Sequence, residues 1–151
     1  MTVPAGPIRV FLLEDNPDDV EIELYQLRKA GLEVEHLVAR NRREFEGLLR
    51  SFGPDIILAD YSLPDLTGTE AIEICRQWGL DVPVMLITGE GNELIAVDSL
   101  RLGAVDYILK KNIAGLGPRV IRALEIVNDR RAKRRAEAEE RRLQDVLYET
   151  K

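Results

Sequence analysis

The sequence predicts an α/β fold in which a five-stranded parallel sheet is covered by helices on both faces. Five short apolar segments alternate with five segments of helical periodicity along the 151 residues. The third apolar segment, residues 56–59, is continuous and lies between Pro54 and Pro64, which is typical of a strand buried on both faces. A chain of this length buries roughly 70% of the surface that its unfolded form exposes, so a single core is expected.

The five predicted strands differ in the residues that follow them. They comprise residues 8–13, 34–39, 56–59, 82–87 and 104–109. The second strand mixes apolar and polar residues, which favours a position at the edge of the sheet. The other four run into polar residues, namely Glu14 with Asp15, Asp60, Thr88 and Lys110. A lone aspartate after a strand is usually a turn former, so the other strand ends decide whether Asp60 is a reacting group.

The helical segments carry recognisable start signals. Asn16, followed by a proline and two aspartates, predicts a helix start, because it offers a capping side chain and acids near the positive end of the dipole. Asn41 and Thr67 each precede a glutamate by three residues, which predicts two capping boxes. A fourth helix is expected over about residues 92–102 and a fifth from Pro118. Short loops and right-handed crossovers then favour a flavodoxin-like, doubly wound (βα)5 fold with strand order 2-1-3-4-5.

The composition excludes several classes of protein. The formal net charge is -6, which argues against a nucleic-acid-binding surface over the whole domain. Cys75 and His36 are the only residues of their types, so neither an internal disulfide nor a zinc cluster is expected. No apolar run approaches the ~20 residues of a membrane span, and the start of the chain lacks the pattern of a secretory signal. A soluble, cytoplasmic protein without membrane contact is expected.

The polar residues at the strand ends together predict a chemical site. Because the carboxyl ends of parallel strands meet at one edge, the side chains of Glu14, Asp15, Asp60, Thr88 and Lys110 are expected to converge. Close carboxylates repel by up to ~4 kcal/mol per pair at an effective dielectric near 20, so the group requires a cation, and oxygen ligands suit Mg²⁺. With Mg²⁺ and the lysine offsetting its charge, a phosphoryl group could be attacked by Asp60 to give an aspartyl phosphate.

Four motifs resemble the receiver domain of two-component response regulators. They are LLEDNPDD, PDIILADYSLPDLTG, VPVMLITG and GAVDYILK, and the similarity covers residues 8 to about 127. The resemblance implies that a histidine kinase or phosphotransfer protein supplies the phosphoryl group. It also implies that the receiver catalyses the transfer to its own aspartate and is a phosphoacceptor module rather than an enzyme with a separate substrate.

The resemblance assigns a role to each matching position of this sequence. It implies that Asp60 is the phosphoacceptor and that Lys110 binds the phosphoryl group. The implied Mg²⁺ ligands are Glu14, Asp15, Asp60 and the backbone carbonyl of Ser62. The implied switch residues are Thr88, whose hydroxyl turns towards the phosphoryl group, and Tyr107, whose ring then moves inward.

Two positions depart from the pattern of that family. Lys111 follows Lys110 where the family usually has a proline after a cis bond, and a cis bond before a non-proline residue costs ~2.5 to 4 kcal/mol. The resemblance therefore implies a loop that is either strained or differently shaped. Gly89 follows Thr88 where the family commonly has alanine, which predicts a more mobile loop and a shifted balance between inactive and active states.

The end of the chain, residues 128–151, has neither glycine nor proline and is rich in helix formers. We expect the fifth helix to continue beyond a receiver domain of residues 1–127 as an extended charged helix. This extension is either solvated or a coiled-coil connector that pairs two chains. A DNA-binding basic region is less favoured, because acids stand beside the arginines. The thin apolar seam of the extension comprises Ala132, Ala136, Leu143 and Leu147.

Several interpretations of the whole chain stay open. Phosphorylation is expected to act on the face made by the fourth helix, fifth strand and fifth helix. The chain is either an isolated receiver that dimerises through that face or its last helix, or the front part of a longer sensor kinase or other output enzyme.

The remaining alternatives are weaker. An aspartyl-nucleophile phosphatase usually has a second aspartate two residues after the first, where Ser62 stands here. A flavodoxin-like cofactor binder is disfavoured because the acidic edge would repel a phosphate without a metal. A receiver fold kept only for docking is disfavoured by the presence of Asp60, Thr88 and Lys110.

Overall fold

A computed structural model describes residues 4–61, 63–89 and 93–149 of the chain. The strands in these ranges are β1 (Ile8–Leu13), β2 (Val34–Ala39), β3 (Ile56–Asp60), β4 (Val84–Thr88) and β5 (Asp106–Leu109). The helices are α1 (Pro17–Lys29), α2 (Arg42–Phe52), α3 (Gly68–Gln77), α4 (Glu93–Leu102) and α5 (Leu116–Glu149), with a 3-10 helix, Lys110–Gly115, before α5.

The strands form one parallel sheet in the order β2-β1-β3-β4-β5, which confirms the predicted order. Every residue of β3 is buried, as expected for a central strand whose two faces are both covered. β2 lies at one edge, and its His36 is exposed. The parallel pairing brings the carboxyl ends of β1, β3, β4 and β5 to one edge of the sheet.

Helices pack against both faces of the sheet. One face is covered by α1 and α5, whose buried residues include Leu27 and Val120. The other face is covered by α2 and α3, whose buried residues include Phe45 and Cys75. Burial raises the pKa of the Cys75 thiol to about 11, so this side chain behaves as a small core residue.

Two strands begin later than predicted. β4 begins at Val84, two residues after the predicted start, because the intervening Pro83 has no N–H group to donate to the sheet. β5 begins at Asp106, also two residues late. The amide of Ala104 donates instead to the carbonyl of Ser99 at 3.0 Å, which closes the end of α4.

The segment between β5 and α5 is helical rather than a loop. α5 begins at Leu116, two residues before the predicted start, and Pro118 lies in its first turn, where a missing N–H costs no hydrogen bond. The 3-10 helix runs directly into α5, and the peptide bond between Lys110 and Lys111 is trans. The segment is therefore differently shaped from the family pattern.

The predicted capping boxes form to different extents. The Thr67 hydroxyl accepts from the amide of Glu70, and the Glu70 carboxylate accepts from the amide of Thr67, so this box is complete. The Asn41 side chain accepts from the amide of Glu44 at 2.9 Å. The Glu44 carboxylate, however, accepts from the amide of Arg40 at 2.9 Å rather than from that of Asn41, so the second predicted box is incomplete.

α5 extends well beyond the rest of the fold, as predicted. It has 34 residues, which corresponds to a length of about 51 Å at 1.5 Å per residue. Its last buried residue is Val127. Beyond it, Arg131 Nε lies 3.3 Å and Arg134 Nη1 3.6 Å from Asp81 Oδ2, and Arg131 also donates to the carbonyl oxygen of Asp81. Among the described helices, none has the length and apolarity required to cross a membrane.

Candidate functional site

Three carboxylates meet at the carboxyl edge of the sheet. Glu14 and Asp15 follow β1, and Asp60 is the last residue of β3. One carboxylate oxygen from each of the three lies within 4.8 Å of the others. Glu14 and Asp60 are buried and Asp15 is exposed, so the group is open to solvent on one side. The structure therefore brings together the three acidic side chains that the sequence singles out.

Lys110 lies directly beside this acidic group. It is the first residue of the 3-10 helix, and its Nζ is 3.2 Å from Asp60 Oδ2 and 3.8 Å from Glu14 Oε1. Burial would lower the pKa of this amine, but the carboxylates of Asp19, Asp60 and Glu14 outweigh it and raise the pKa above its ordinary value. The ammonium therefore stays charged at any physiological pH.

Glu14 is a buried acid that receives no hydrogen bond from any described residue. Its side chain is 1% exposed, and neither of its oxygens accepts a hydrogen bond within the described ranges. Burial, followed by the neighbouring carboxyls of Asp60 and Asp19, raises the pKa of Glu14 to about 10. A buried carboxylate in this environment is stabilised by a cation, and a set of hard oxygen donors fits Mg²⁺. The predicted fourth ligand, Ser62, lies outside the described residues.

Thr88 ends β4 and is completely buried. Its hydroxyl has no hydrogen-bond partner in the part of the chain that the structure describes. Thr88 pairs in register with Leu109, so Tyr107, two residues earlier on β5, lies on the same face of the sheet. Tyr107 is half-buried and packs against the core on that face. Next to Thr88, a Cβ atom on Gly89 would meet nothing within 4 Å, so an alanine would fit there.

Two further acids, Asp19 and Glu23, belong to the site but were not predicted. Asp19 Oδ2 is 3.0 Å from the Nζ of Lys110. Burial opposes ionisation of Asp19, but the neighbouring Glu14 carboxyl and Lys110 ammonium outweigh it and lower the pKa of Asp19. Glu23 is buried, and burial, followed by the charges of Asp19 and Asp60, raises its pKa to about 8. Their four-residue spacing with the buried Leu27 places both acids on the same face of α1, but this spacing alone does not distinguish them from solvated acids.

Sequence comparison matches residues 10–116 to the response regulator receiver domain. The transcriptional regulatory protein TrcR of Mycobacterium tuberculosis is 32% identical over 106 residues, which covers 70% of this chain and 40% of that protein. The phosphate regulon transcriptional regulatory protein PhoB of Pseudomonas aeruginosa is 31% identical over 106 residues, covering 67% of this chain and 44% of that protein. The chain thus spans less than half the length of these two relatives.

Comparison with solved structures finds the same fold. NtrX from Brucella abortus superposes with a TM-score of 0.74 at 26% identity, over 87% of this chain and 30% of that chain. The receiver domain of the Francisella response regulator 1452 superposes with a TM-score of 0.66 at 22% identity, over 82% of this chain and 98% of that chain. The family match covers the acidic edge, Asp60, Thr88 and Lys110 together. The chain therefore belongs to the response regulator receiver domains of two-component signal transduction.

Proposed function

We propose that this receiver domain accepts a phosphoryl group on Asp60 from the phosphohistidine of a histidine kinase or phosphotransfer protein. The observation that carries the proposal is the position of Lys110 Nζ, 3.2 Å from Asp60 Oδ2 and next to a group of three carboxylates. A carboxylate is a poor nucleophile towards an anionic phosphoryl group unless nearby cations offset the charge. The lysine supplies one such cation within contact distance of the nucleophile.

The metal ligands in this proposal are Glu14, Asp15 and Asp60, together with the carbonyl of Ser62. The absence of hydrogen-bond donors to Glu14 within the described ranges supports this assignment, because the Lys110 ammonium at 3.8 Å is too far to hydrogen-bond and a buried carboxylate requires a closer positive partner. Bound Mg²⁺ would offset the negative charge of the phosphoryl oxygens during transfer.

The remaining chemistry belongs to the chain itself. A bond forms between an oxygen of Asp60 and phosphorus as the bond from phosphorus to the donor breaks. The ammonium of Lys110 neutralises one phosphoryl oxygen, and the hydroxyl of Thr88 donates to another. The burial of that hydroxyl and the lack of a partner for it among the described residues support this role. The module thus catalyses only its own phosphorylation and dephosphorylation.

The output of phosphorylation is carried by α4, β5 and α5. Thr88 leads into the segment before α4, and Tyr107 lies on β5, so movement of both side chains biases this face. The face already presents apolar surface for a partner, since Leu94 of α4 is 82% exposed and Val97 is 43% exposed. Arg119 of α5 holds Asp106 of β5 at 3.2 Å, which links the two elements.

Asp60→Asn should abolish phosphorylation of the full chain by acetyl phosphate and Mg²⁺. The amide of asparagine is not a nucleophile, whereas its size preserves the packing of the site. Intact-mass measurement should show a gain of one phosphoryl group in the natural chain and none in the variant. The matched control is Asp18→Asn, which removes an exposed acid close by on α1 and should leave the gain unchanged.

The proposal fails if the Asp60→Asn variant gains the phosphoryl group to the same extent as the natural chain. It also fails if removal of divalent cations with a chelator leaves the rate of modification unchanged, because the acidic group would then have no part in the reaction. If neither Asp60→Asn nor Asp18→Asn gained a phosphoryl group, the cause would be damage to the fold. Thermal unfolding of the two variants checks for such damage.

We further propose that residues 1–127 form the receiver domain and that residues 128–151 form a connector that pairs two chains. Burial on α5 ends at Val127, and Leu143 and Leu147 are 51% and 64% exposed, which supports an apolar seam available to a second helix. The alternative is a helix that links the receiver to an output domain of a longer signalling protein.

Solution mass by light scattering should distinguish these two roles of the helix. If the helix pairs chains, the full chain should be a dimer, and a chain that ends at Asn128 should be a monomer. Because the truncation leaves every buried residue of α5 in place, its unfolding should stay cooperative. Monomers of both chains at high concentration would contradict the pairing and favour the linking role.

A further inference from the structure

The shortest contact of Lys110 is not with the phosphoacceptor. Its Nζ lies 3.0 Å from Asp19 Oδ2, against 3.2 Å from Asp60 and 3.8 Å from Glu14. The last distance is too long for a hydrogen bond, so the ammonium has two hydrogen-bonding carboxylates in the described structure. One of them, Asp60, loses its free carboxylate when the aspartyl phosphate forms.

Asp19 is suited to hold the ammonium in place. It lies within the first turn of α1, a helix whose start is fixed by the Asn16 side chain and whose inner face is buried. Lys110, in contrast, has a flexible four-carbon stem and a side chain that is 37% exposed, so without an anchor its charge would spread over many positions. The Asp19 side chain is 27% exposed and therefore partly shielded from solvent.

Asp19 also stands apart from the acids assigned to the metal. The group of three carboxylates with oxygens within 4.8 Å of one another comprises Glu14, Asp15 and Asp60 and does not include it. A lysine ammonium has three donors, so it can keep its bond to Asp19 while it donates to Asp60 or to a phosphoryl oxygen. Asp60 serves both the metal and the ammonium, whereas Asp19 contacts the ammonium from outside the metal group.

We propose that Asp19 is a positioning residue that holds the ammonium of Lys110 at the phosphoryl site before and after transfer. This inference rests on the proposed phosphorylation of Asp60. Once that carboxylate becomes an acyl phosphate, Asp19 is the remaining short carboxylate contact of the ammonium among the described residues. It keeps the positive charge beside the new phosphoryl oxygens instead of letting it turn to solvent.

The test is a double-mutant cycle on the full chain, with acetyl phosphate and Mg²⁺ as the phosphodonor system. Asp19→Ala should slow phosphorylation by about tenfold, the lower end of the effect of hydrogen-bonding groups that orient metal ligands. In a Lys110→Ala background the same change should alter the rate by less than about twofold, because the residue through which Asp19 acts is gone. Asp19→Asn, which keeps an acceptor oxygen, should recover part of the rate, and Asp18→Ala should have no effect.

A second measurement does not depend on phosphorylation. In nuclear magnetic resonance of the unphosphorylated chain, the ¹⁵Nζ group of Lys110 should be ordered, and Asp19→Ala should make it mobile while Asp18→Ala does not. Unchanged order in Asp19→Ala overturns the inference even if the natural chain accepts no phosphoryl group. The inference is also overturned if Asp19→Ala slows phosphorylation equally in the natural chain and in the Lys110→Ala background. The same holds if Asp19→Ala speeds phosphorylation because a repelling charge has been removed.

Discussion

Replacing Gly117 with alanine is expected to destabilise the protein by roughly 2 to 3 kcal/mol, the upper part of the range for overpacking a core. Gly117 lies at the start of α5 where that helix crosses α1. An added Cβ would stand 2.3 Å from the Cβ of Ala30 and 2.9 Å from the carbonyl oxygen of Gln26. Neither atom can turn away by changing a rotamer, so the two helices must separate. Urea denaturation should measure the loss.

Gly47→Ala is the matched control for this prediction. Gly47 lies within α2, and an added Cβ there would meet nothing within 4 Å. The same substitution should therefore stabilise the protein by up to about 1 kcal/mol through helix propensity alone. A neutral or stabilising effect of Gly117→Ala would show that α1 and α5 do not approach each other as closely as the structure indicates.

The second large effect is a loss of stability with rising pH that is caused by Glu23. The free energy of unfolding of the metal-free protein should fall as the pH rises from about 4.5 to about 8. The pKa of this carboxyl is raised from 4.5 to about 8 by burial, with Asp19 and Asp60 adding to the shift. Within this window the folded chain holds a proton that the unfolded chain has lost. The contribution of Glu23 to the free energy of unfolding is therefore complete below pH 4.5 and is lost as the pH rises through the pKa of Glu23 in the folded chain. At about 1.4 kcal/mol per pKa unit, the change amounts to a few kcal/mol.

Glu23→Gln should remove this part of the pH dependence, because the amide imitates the neutral carboxyl. In a chelator, urea denaturation should give similar stability for the variant and the natural chain near pH 5 and a more stable variant near pH 9. Glu21→Gln, an exposed position on the same helix, is the control and should follow the natural chain. If the free energy of unfolding of Glu23→Gln changed with pH in the same way as that of the natural chain, Glu23 would not be the group that titrates.

Both predictions concern contacts between α1 and distant parts of the chain, and the sequence contains no direct sign of either. Glycine at position 117 looks like an ordinary residue near a helix start, and only the crossing of α1 and α5 makes its lack of a side chain necessary. Glu23 looks like a solvated residue on a charged helix. It is buried because its position on α1 faces the carboxyl edge of the sheet.

The sequence by itself determined the order of strands and helices, the parallel sheet and the edge at which the polar residues meet. These features follow from local periodicity and from the handedness of crossovers, which act over short stretches of chain. The starts of elements near Pro83, Ala104 and Pro118 were predicted less accurately, because they depend on which backbone N–H groups find a partner.

Only the tertiary structure decided which acid reaches the lysine. Asp18 and Asp19 are neighbours with the same side chain, and both suit the first turn of a helix. The rotation of α1 against the sheet turns one outward and sets the other 3.0 Å from an ammonium 91 positions further along the chain. Such a choice depends on how a whole helix packs, a long-range property that no local pattern of residues encodes.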